Sequence, residues 1–467
     1  MKAMKKQVAD FFAGKQIAIL GYGKECRSSI RLIRSLYPSL PIDIWDESDA
    51  PHNTAVLDNF TSYHGAVKFK KVNFRPFDIV LTSPGIPPRK IPAHLLKSGC
   101  LYGQSELFLT WFGAQTIGVT GTKGKSTTTS LIYHVLKKAG RKVLLGGNIG
   151  VPLFDLIPKL RKDTYVVAEL SCHQLNGIKA SPHLAVLLNL YEEHLDYYNT
   201  VEKYFESKLS IFQNQEQDDI LIYNYDDDRI KSYLKESRKN HRTISYSIRK
   251  KRADLYFQEG NVVTELVRGK PFIAKSKLLG AINKYNILPA IAVASLLKLS
   301  KNEILSGLKS FVPLEHRLQY LGKVKNIHFV NDSISTIPQA TMAAVEAIEE
   351  VGSLIIGGHD RMVDYQELVK FLPKQKISAI VFFDKAGSRI FQDLQKQYPK
   401  FVKRIKYIVT SDFEKAMQFC FEHTPLEKYC LLSPAASSYG IFKNFEERGT
   451  KFRKLILKQS KAKKFIQ

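Results

Sequence analysis

Residues 116–120, Thr-Ile-Gly-Val-Thr, run straight into Gly-Thr-Lys-Gly-Lys-Ser-Thr at 121–127, and beyond them Leu131, Ile132, Val135 and Leu136 recur at helical spacing up to Gly140. A β-prone run, a glycine-rich turn and an amphipathic segment in that order describe a buried strand, a loop and a helix. Such a loop aims successive backbone N–H groups and the positive end of the helix at one point, a cradle for phosphate oxygens; Lys125 adds charge and Ser126 a hydroxyl suited to magnesium. The general phosphate-loop pattern places glycine five residues before Gly124, where this chain has Val119, with glycines instead at 118 and 121. The loop therefore predicts ATP use without matching the generic motor or kinase form. Its predicted contacts are Gly121, Thr122, Lys123, Gly124, Lys125, Ser126 and Thr127.

The same alternation of strand and helix extends in both directions. Residues 16–20 read as a buried strand entering Gly21-Tyr-Gly23, followed by a helix with Ile30, Leu32, Ile33 and Leu36 inward and a strand at 42–45 that ends in Asp46. This βαβ unit is similar to a dinucleotide fingerprint, but Cys26 holds the third glycine position. A further strand at 77–81 ends in Thr-Ser-Pro-Gly-Ile-Pro-Pro, a rigid turn containing Ser83. Strands at 164–170, 184–190 and 219–223 continue the central unit, and 241–280 reads as an antiparallel insertion. After Pro313 the pattern restarts, with strands at 327–331, 353–357, 378–383, 405–410 and 428–432. The expected fold is α/β in three tandem domains: a Rossmann-like one at 1–109, a central P-loop ATPase with a parallel sheet at 110–312, and a Rossmann-like one at 313–467.

Composition narrows the setting. At 467 residues the chain exceeds one ordinary core. Its 70 Lys and Arg against 44 Asp and Glu leave +26, a field that favours anionic partners, yet the dense basic runs are confined to 249–252 and the tail. That placement reads as solvated charge, so no nucleic-acid partner is expected. Five cysteines show no paired or zinc-type spacing, the N-terminus lacks a signal-peptide core, and no apolar run approaches a membrane span. A soluble cytoplasmic monomer is expected.

Two other clusters fall at strand ends of the central unit, where open α/β sheets bind ligands: Ala-Glu-Leu-Ser-Cys-His-Gln at 168–174 and Asn-Leu-Tyr-Glu-Glu-His-Leu-Asp at 189–196. Glu169 and His194 at such points can hold a second magnesium ion. With the phosphate loop, with Gly-Asn-Ile-Gly at 147–150, Asn-Asp-Ser at 331–333, Gly357-Gly358, and Leu-Ser-Pro-Ala with Phe-Lys-Asn-Phe-Glu-Glu-Arg-Gly at 432–449, the chain resembles the Mur ligases of peptidoglycan synthesis over essentially its whole length.

The resemblance implies an N-terminal domain for a UDP-sugar, a central ATPase and a C-terminal domain that brings an amino acid. It implies that Lys125 contacts the β- and γ-phosphates, that Ser126 and Glu169 hold one magnesium ion and His194 a second, and that Lys208 is carbamylated in support of them. From the sequence alone Lys208 reads as an exposed helix lysine. The resemblance further places Gly21, Asp46, Ser83, Asn148, Ser171 and Gln174 with the UDP-muramoyl substrate, and Asn283, Arg317 and Asp332 with ATP. Thr336, Arg361, Ser438 and Phe445 would hold glutamate, and a fixed guanidinium at 361 suits a carboxylate. The implied reaction joins glutamate to UDP-N-acetylmuramoyl-L-alanine through an acyl phosphate.

Three positions depart from the common pattern: Ile334 and Arg361 stand where lysines are usual, and Ile282 where a histidine often precedes Asn283. They leave D- and L-glutamate both open. A folylpolyglutamate synthase-like ligase shares the ATPase unit, and the net charge would also suit a nucleic-acid-stimulated ATPase. The separate βαβ unit at 16–46 favours the muramoyl ligase.

Overall fold

The computed structural model describes residues 2–51, 54–192, 195–236, 242–267, 271–276, 278, 281–348 and 350–461. It is built on three sheets. The first joins β1 (Ile17–Leu20), β2 (Ile42–Trp45), β3 (Thr61–His64), β4 (Ile79–Thr82) and β5 (Leu101–Gly103) in the order β3-β2-β1-β4-β5, every pair parallel. That order reverses direction between β1 and β4, which opens a crevice at their carboxyl ends. Ile17, Ala18, Ile19 and Leu20 are all buried, as expected for a central strand covered on both faces.

The second sheet contains β6 (Thr116–Thr120), β7 (Val143–Gly147), β8 (Tyr165–Glu169), β9 (Leu184–Leu187), β10 (Ile220–Asn224), β11 (Arg242–Ser247), β12 (Leu255–Gln258) and β13 (Asn261–Thr264), in the order β13-β12-β11-β10-β9-β6-β8-β7. The expected antiparallel insertion at 241–280 needs correction: β11 pairs parallel with β10, and β12 parallel with β11, so antiparallel pairing among the described residues here is confined to the β12–β13 hairpin and a bridge from Val262 to Phe272. The Asp226 carboxylate, just past β10, ties the end of β11 to the main sheet, because it accepts from Ser247 Oγ at the strand's last residue and from Ile248 N just beyond it.

The first two sheets lie in one compact unit, residues 1–275 and 284–309. Position 109, the expected domain limit, lies in the helix Gln104–Phe112, whose Leu107, Phe108, Leu109 and Phe112 are buried in a core that draws on both sheets. The second unit, residues 276–283 and 310–467, holds the third sheet: β14 (Gln319–Val324), β15 (Ile327–Asn331), β16 (Val351–Gly357), β17 (Ala379–Phe383), β18 (Lys406–Thr410) and β19 (Tyr429–Leu432). Its order is β14-β15-β19-β16-β17-β18, parallel except for the edge pair β14–β15. Among the described residues no helix is long and apolar enough to cross a membrane.

Candidate active site

The phosphate loop forms where the sequence places it, between β6 and the helix Lys125–Lys138. Gly124, just before that helix, has φ +88°, a left-handed conformation that a side chain at this position would strain. Thr128, one turn into the helix, donates through Oγ1 to Asn286 Oδ1 at 3.1 Å. Lys125 Nζ lies on the loop itself, 2.9 Å from Gly121 O and 3.0 Å from Thr122 O. Ser126 is buried at the first turn.

Strands β8 and β9 flank β6 and deliver the two other clusters to the same end of the sheet. Val119 pairs with Glu169 and Thr120 with Leu187. Glu169 is 2% exposed; its Oε1 accepts from Asn148 Nδ2 at 2.7 Å, while Oε2 is buried with no hydrogen-bond partner. A buried carboxylate oxygen left unmatched is costly unless a cation or donor completes it. Such an oxygen, at the end of the strand that pairs with β6, is a ligand of the kind magnesium prefers, as is the Ser126 hydroxyl. His194 lies outside the described residues.

Asn189, beyond the carboxyl end of β9, was part of a recognised cluster but carried no assigned role. Its Oδ1 accepts from Thr122 N at 3.1 Å and Lys123 N at 2.8 Å, and its Nδ2 donates to Lys123 O at 3.0 Å. One carboxamide thus fixes two successive peptide groups of the loop. Sequence spacing cannot reveal such a bond, because it joins positions 66 residues apart.

Lys208 corrects the sequence expectation. It is 1% exposed rather than a surface residue, and its Nζ donates to Gly121 O at 3.0 Å while lying 4.8 Å from the Tyr204 ring centre. The helix Val201–Gln213 buries Tyr204, Ser207, Lys208, Ile211 and Phe212, so its inward face carries a lysine to the phosphate loop. Apolar periodicity had no means of assigning a lysine to that face.

On the first sheet, Gly21 and Ser83 stand at the adjoining ends of β1 and β4, with Ser83 N bonded to Leu20 O at 2.9 Å. Asp46 accepts from Tyr22 N at 2.5 Å and Ser48 N at 2.8 Å, closing the βαβ turn. Ser171 and Gln174 form a reciprocal helix cap, and Gln174 Nε2 also donates to Glu25 Oε1 at 2.5 Å. Burial pushes the Glu25 carboxyl up to about 7, against the opposing influence of Gln174 and Lys24. Glu25 was not singled out in the sequence; with Pro84, Gln104 and Gln174 it borders a cavity of about 300 Å³.

In the second unit the predicted residues gather at the carboxyl ends of three neighbouring strands, β15, β19 and β16. Asn283, which also belongs to this unit, is buried. Asp332 accepts from Ser335 Oγ at 2.5 Å, Ser433 Oγ at 2.8 Å and Leu318 N at 3.1 Å; burial raises its carboxyl to about 6. Arg317 and Arg361 are exposed and Thr336 half-buried. A bridge from His359 to Ser437 brings the two loops together, leaving Ser438 buried and the Arg361 guanidinium 5.3 Å from the Tyr439 ring centre. Phe445 opens the last helix, and its carbonyl accepts from Ser333 Oγ at 2.8 Å. Arg448, to which no role was assigned, organises this end: fully buried, it donates to Ser333 Oγ, Ser333 O and Ala436 O at 3.0, 2.8 and 3.2 Å.

Known proteins are similar to this chain in sequence and in fold. Residues 119–294 match the Mur ligase middle domain. The UDP-N-acetylmuramoylalanine--D-glutamate ligase of Desulfitobacterium hafniense strain Y51 is 31% identical over 460 residues, covering 95% of this chain and 97% of the relative. Among solved structures, MurF from Acinetobacter baumannii superimposes with a TM-score of 0.58 at 18% identity, over 82% of this chain and 85% of that one. MurF ligase from Thermotoga maritima, in complex with ADP, gives 0.56 at 18% identity, over 83% and 90%. These structures share the fold, and the likeness in sequence spans both compact units as well as the loop, the Glu169 strand end and the buried Lys208 helix. The chain belongs to the Mur ligase family.

Proposed function

We propose that the protein is an ATP-dependent amide ligase that adds glutamate, in its D form, to UDP-N-acetylmuramoyl-L-alanine during cytoplasmic synthesis of peptidoglycan precursors. The observation that carries this reading is the full-length likeness to relatives named for that reaction. Residues 1–109 then bind the UDP-sugar, 110–312 the ATP, and 313–467 the amino acid.

In this reading the carboxylate of the muramoyl substrate attacks the γ-phosphorus as its bond to the β,γ-bridging oxygen breaks and ADP leaves; the glutamate amine then adds to the acyl carbon, and the tetrahedral intermediate expels phosphate and gives up a proton to form the amide. Several anions must meet, so the site needs fixed positive charge and oriented N–H groups. Lys125 and the N-terminus of its helix meet the triphosphate. Gly121, Thr122, Lys123, Gly124 and Thr127 shape that cradle, with Asn283, Arg317 and Asp332 completing the ATP site. Ser126 and Glu169 hold one magnesium ion and His194 a second; bound magnesium neutralises charge developing on the phosphoryl oxygens. Lys208, as its carbamate, supports these ions. Gly21, Asp46, Ser83, Asn148, Ser171 and Gln174 hold the UDP-muramoyl substrate, and Thr336, Arg361, Ser438 and Phe445 the glutamate.

Asn189 keeps the loop in its phosphate-ready shape. Asn189→Ala removes three hydrogen bonds and leaves the Lys123 N–H without this acceptor, at roughly 1 kcal/mol per bond. The expected result is a rise of about tenfold or more in the KM for ATP, with the KM for the UDP-substrate little changed. Equal KM values for ATP in variant and parent would remove the assignment.

The reaction itself is tested by supplying ATP, magnesium and UDP-N-acetylmuramoyl-L-alanine with each glutamate enantiomer separately and measuring phosphate release. D-glutamate is expected to be the better substrate. Preference for the L form would move the protein to the L-glutamate-adding branch, which Ile334 and Arg361 leave open. Activity with neither, together with salt-sensitive stimulation of ATP hydrolysis by RNA or DNA, would replace the ligase reading.

A further inference from the structure

The turn at 83–86 forms one wall of the crevice at the end of the first sheet. It packs directly on the βαβ glycine: a Cβ on Gly21 would come within 2.8 Å of Ile86 Cδ1 and 3.1 Å of Ser83 Cβ. A half-ångström shift in the turn therefore alters the space beside Gly21. Within the turn itself Ile86 N bonds to Ser83 O at 3.1 Å. The carbonyls of Pro84 and Ile86 are taken up by a side chain from a distant part of the chain.

That side chain is Tyr197, in the short helix Leu195–Tyr198 that follows β9. Its hydroxyl lies 3.0 Å from Ile86 O and 3.2 Å from Pro84 O, so its one proton is shared between two carbonyls of the turn. Arg89, just past the turn, answers in the opposite direction: its Nη1 donates to Tyr197 O at 3.1 Å. The His173 ring meets the Tyr197 ring edge-on, with centroids 4.3 Å apart, which fixes the phenol's orientation. Burial pushes the phenol up to about 12, so it remains a donor throughout the neutral range.

The geometry points to Tyr197 as a positioning residue for the UDP-sugar: its hydroxyl pins the 83–86 turn against Gly21 and thereby sets the shape of the substrate crevice. Tyr197 does not touch the reacting atoms. Its role is confined to one substrate, because its bonds go to the sugar-nucleotide side and not to the phosphate loop. This rests on the ligase reading above.

Tyr197→Phe keeps the ring on His173 and deletes only the hydroxyl. The full-length protein is assayed with ATP, magnesium, glutamate and varied UDP-N-acetylmuramoyl-L-alanine. The expected result is a KM for that substrate raised roughly three- to tenfold, the effect of one lost hydrogen bond, with the KM for ATP and kcat within twofold of the parent and an unchanged melting temperature. Arg89→Met, which removes the reciprocal bond, is expected to shift the same KM in the same direction by a smaller factor. Unchanged KM values in Tyr197→Phe, or a parallel rise for ATP and the UDP-substrate, overturn the positioning role. The parent protein separates the two readings: if it does not turn over UDP-N-acetylmuramoyl-L-alanine, the ligase reading fails; if it does and Tyr197→Phe is indistinguishable from it, the inference about Tyr197 fails alone.

Discussion

Replacing Lys125 with alanine is expected to lower ligase turnover by at least about a thousandfold, because it removes the loop's own cation from a site where negative charge accumulates. The ammonium lies on Gly121 O and Thr122 O, both in the turn that closes the cradle, and so is already held where phosphate oxygens would approach the helix N-terminus. An arginine should not substitute well: a planar guanidinium on the same stem is larger and directs its donors in a fixed fork, whereas an ammonium is a compact point charge. The residue is half-buried and caps no core cluster, so folding should survive. Phosphate release in saturating ATP, UDP-substrate and glutamate checks the loss, with a thermal melt as control. A folded Lys125→Ala protein that turns over at the parent rate would sink the assignment of this loop to the triphosphate.

The parts of this site that were legible in the sequence are those written in local grammar. β6, the loop and the helix were read to within a residue because a β-prone run, glycines and 3.6-residue periodicity are all local signals. The same grammar matched β2 and β15 residue for residue, and the other core strands it recognised to within one to three positions. It missed β3, β5, β7 and β14, whose four, three, five and six residues are short or only half-buried and so carry little apolar signal. It misjudged 241–280 because strand direction is decided by partners: Asp226 and β10 draw β11 into the parallel sheet, and nothing within 242–247 records that.

Side chains that work across the fold were harder to see. Glu25, Asn189, Tyr197 and Arg448 each act on groups more than 60 residues away, except where Arg448 reaches back to Ala436. Glu169 was recognisable as a carboxylate at a strand end, but its unmatched oxygen emerges only once Asn148 is seen to occupy the other. The resemblance supplied Lys208, and the structure supplies the physical fact that makes it informative, its burial.

Lys208→Ala is accordingly expected to lose most activity, on the order of a hundredfold, and the pattern of rescue distinguishes two roles for the side chain. If Lys208 acts only as an ammonium, its function is to donate to Gly121 O and to rest on the Tyr204 ring, as it does here. A small amine such as methylammonium would then restore the missing donor and recover turnover. If it acts as a carbamate, the alanine variant lacks an anion with two oxygen acceptors beside the magnesium ligands, and formate or acetate should recover part of the activity while amines do not. The cavity left by truncating a buried lysine has a volume comparable to either small ion, so size does not prejudge the outcome. Carbamate formation joins the amine nitrogen to carbon dioxide with loss of a proton, which predicts a carbamate carbon resonance after incubation of the parent with ¹³C-bicarbonate and none in Lys208→Ala. Rescue by carboxylates together with that resonance supports the carbamate; rescue by amines, or no loss of activity at all, removes it. Either result is read against the same geometry, in which a lysine on the inward face of its helix reaches the glycine that opens the phosphate loop.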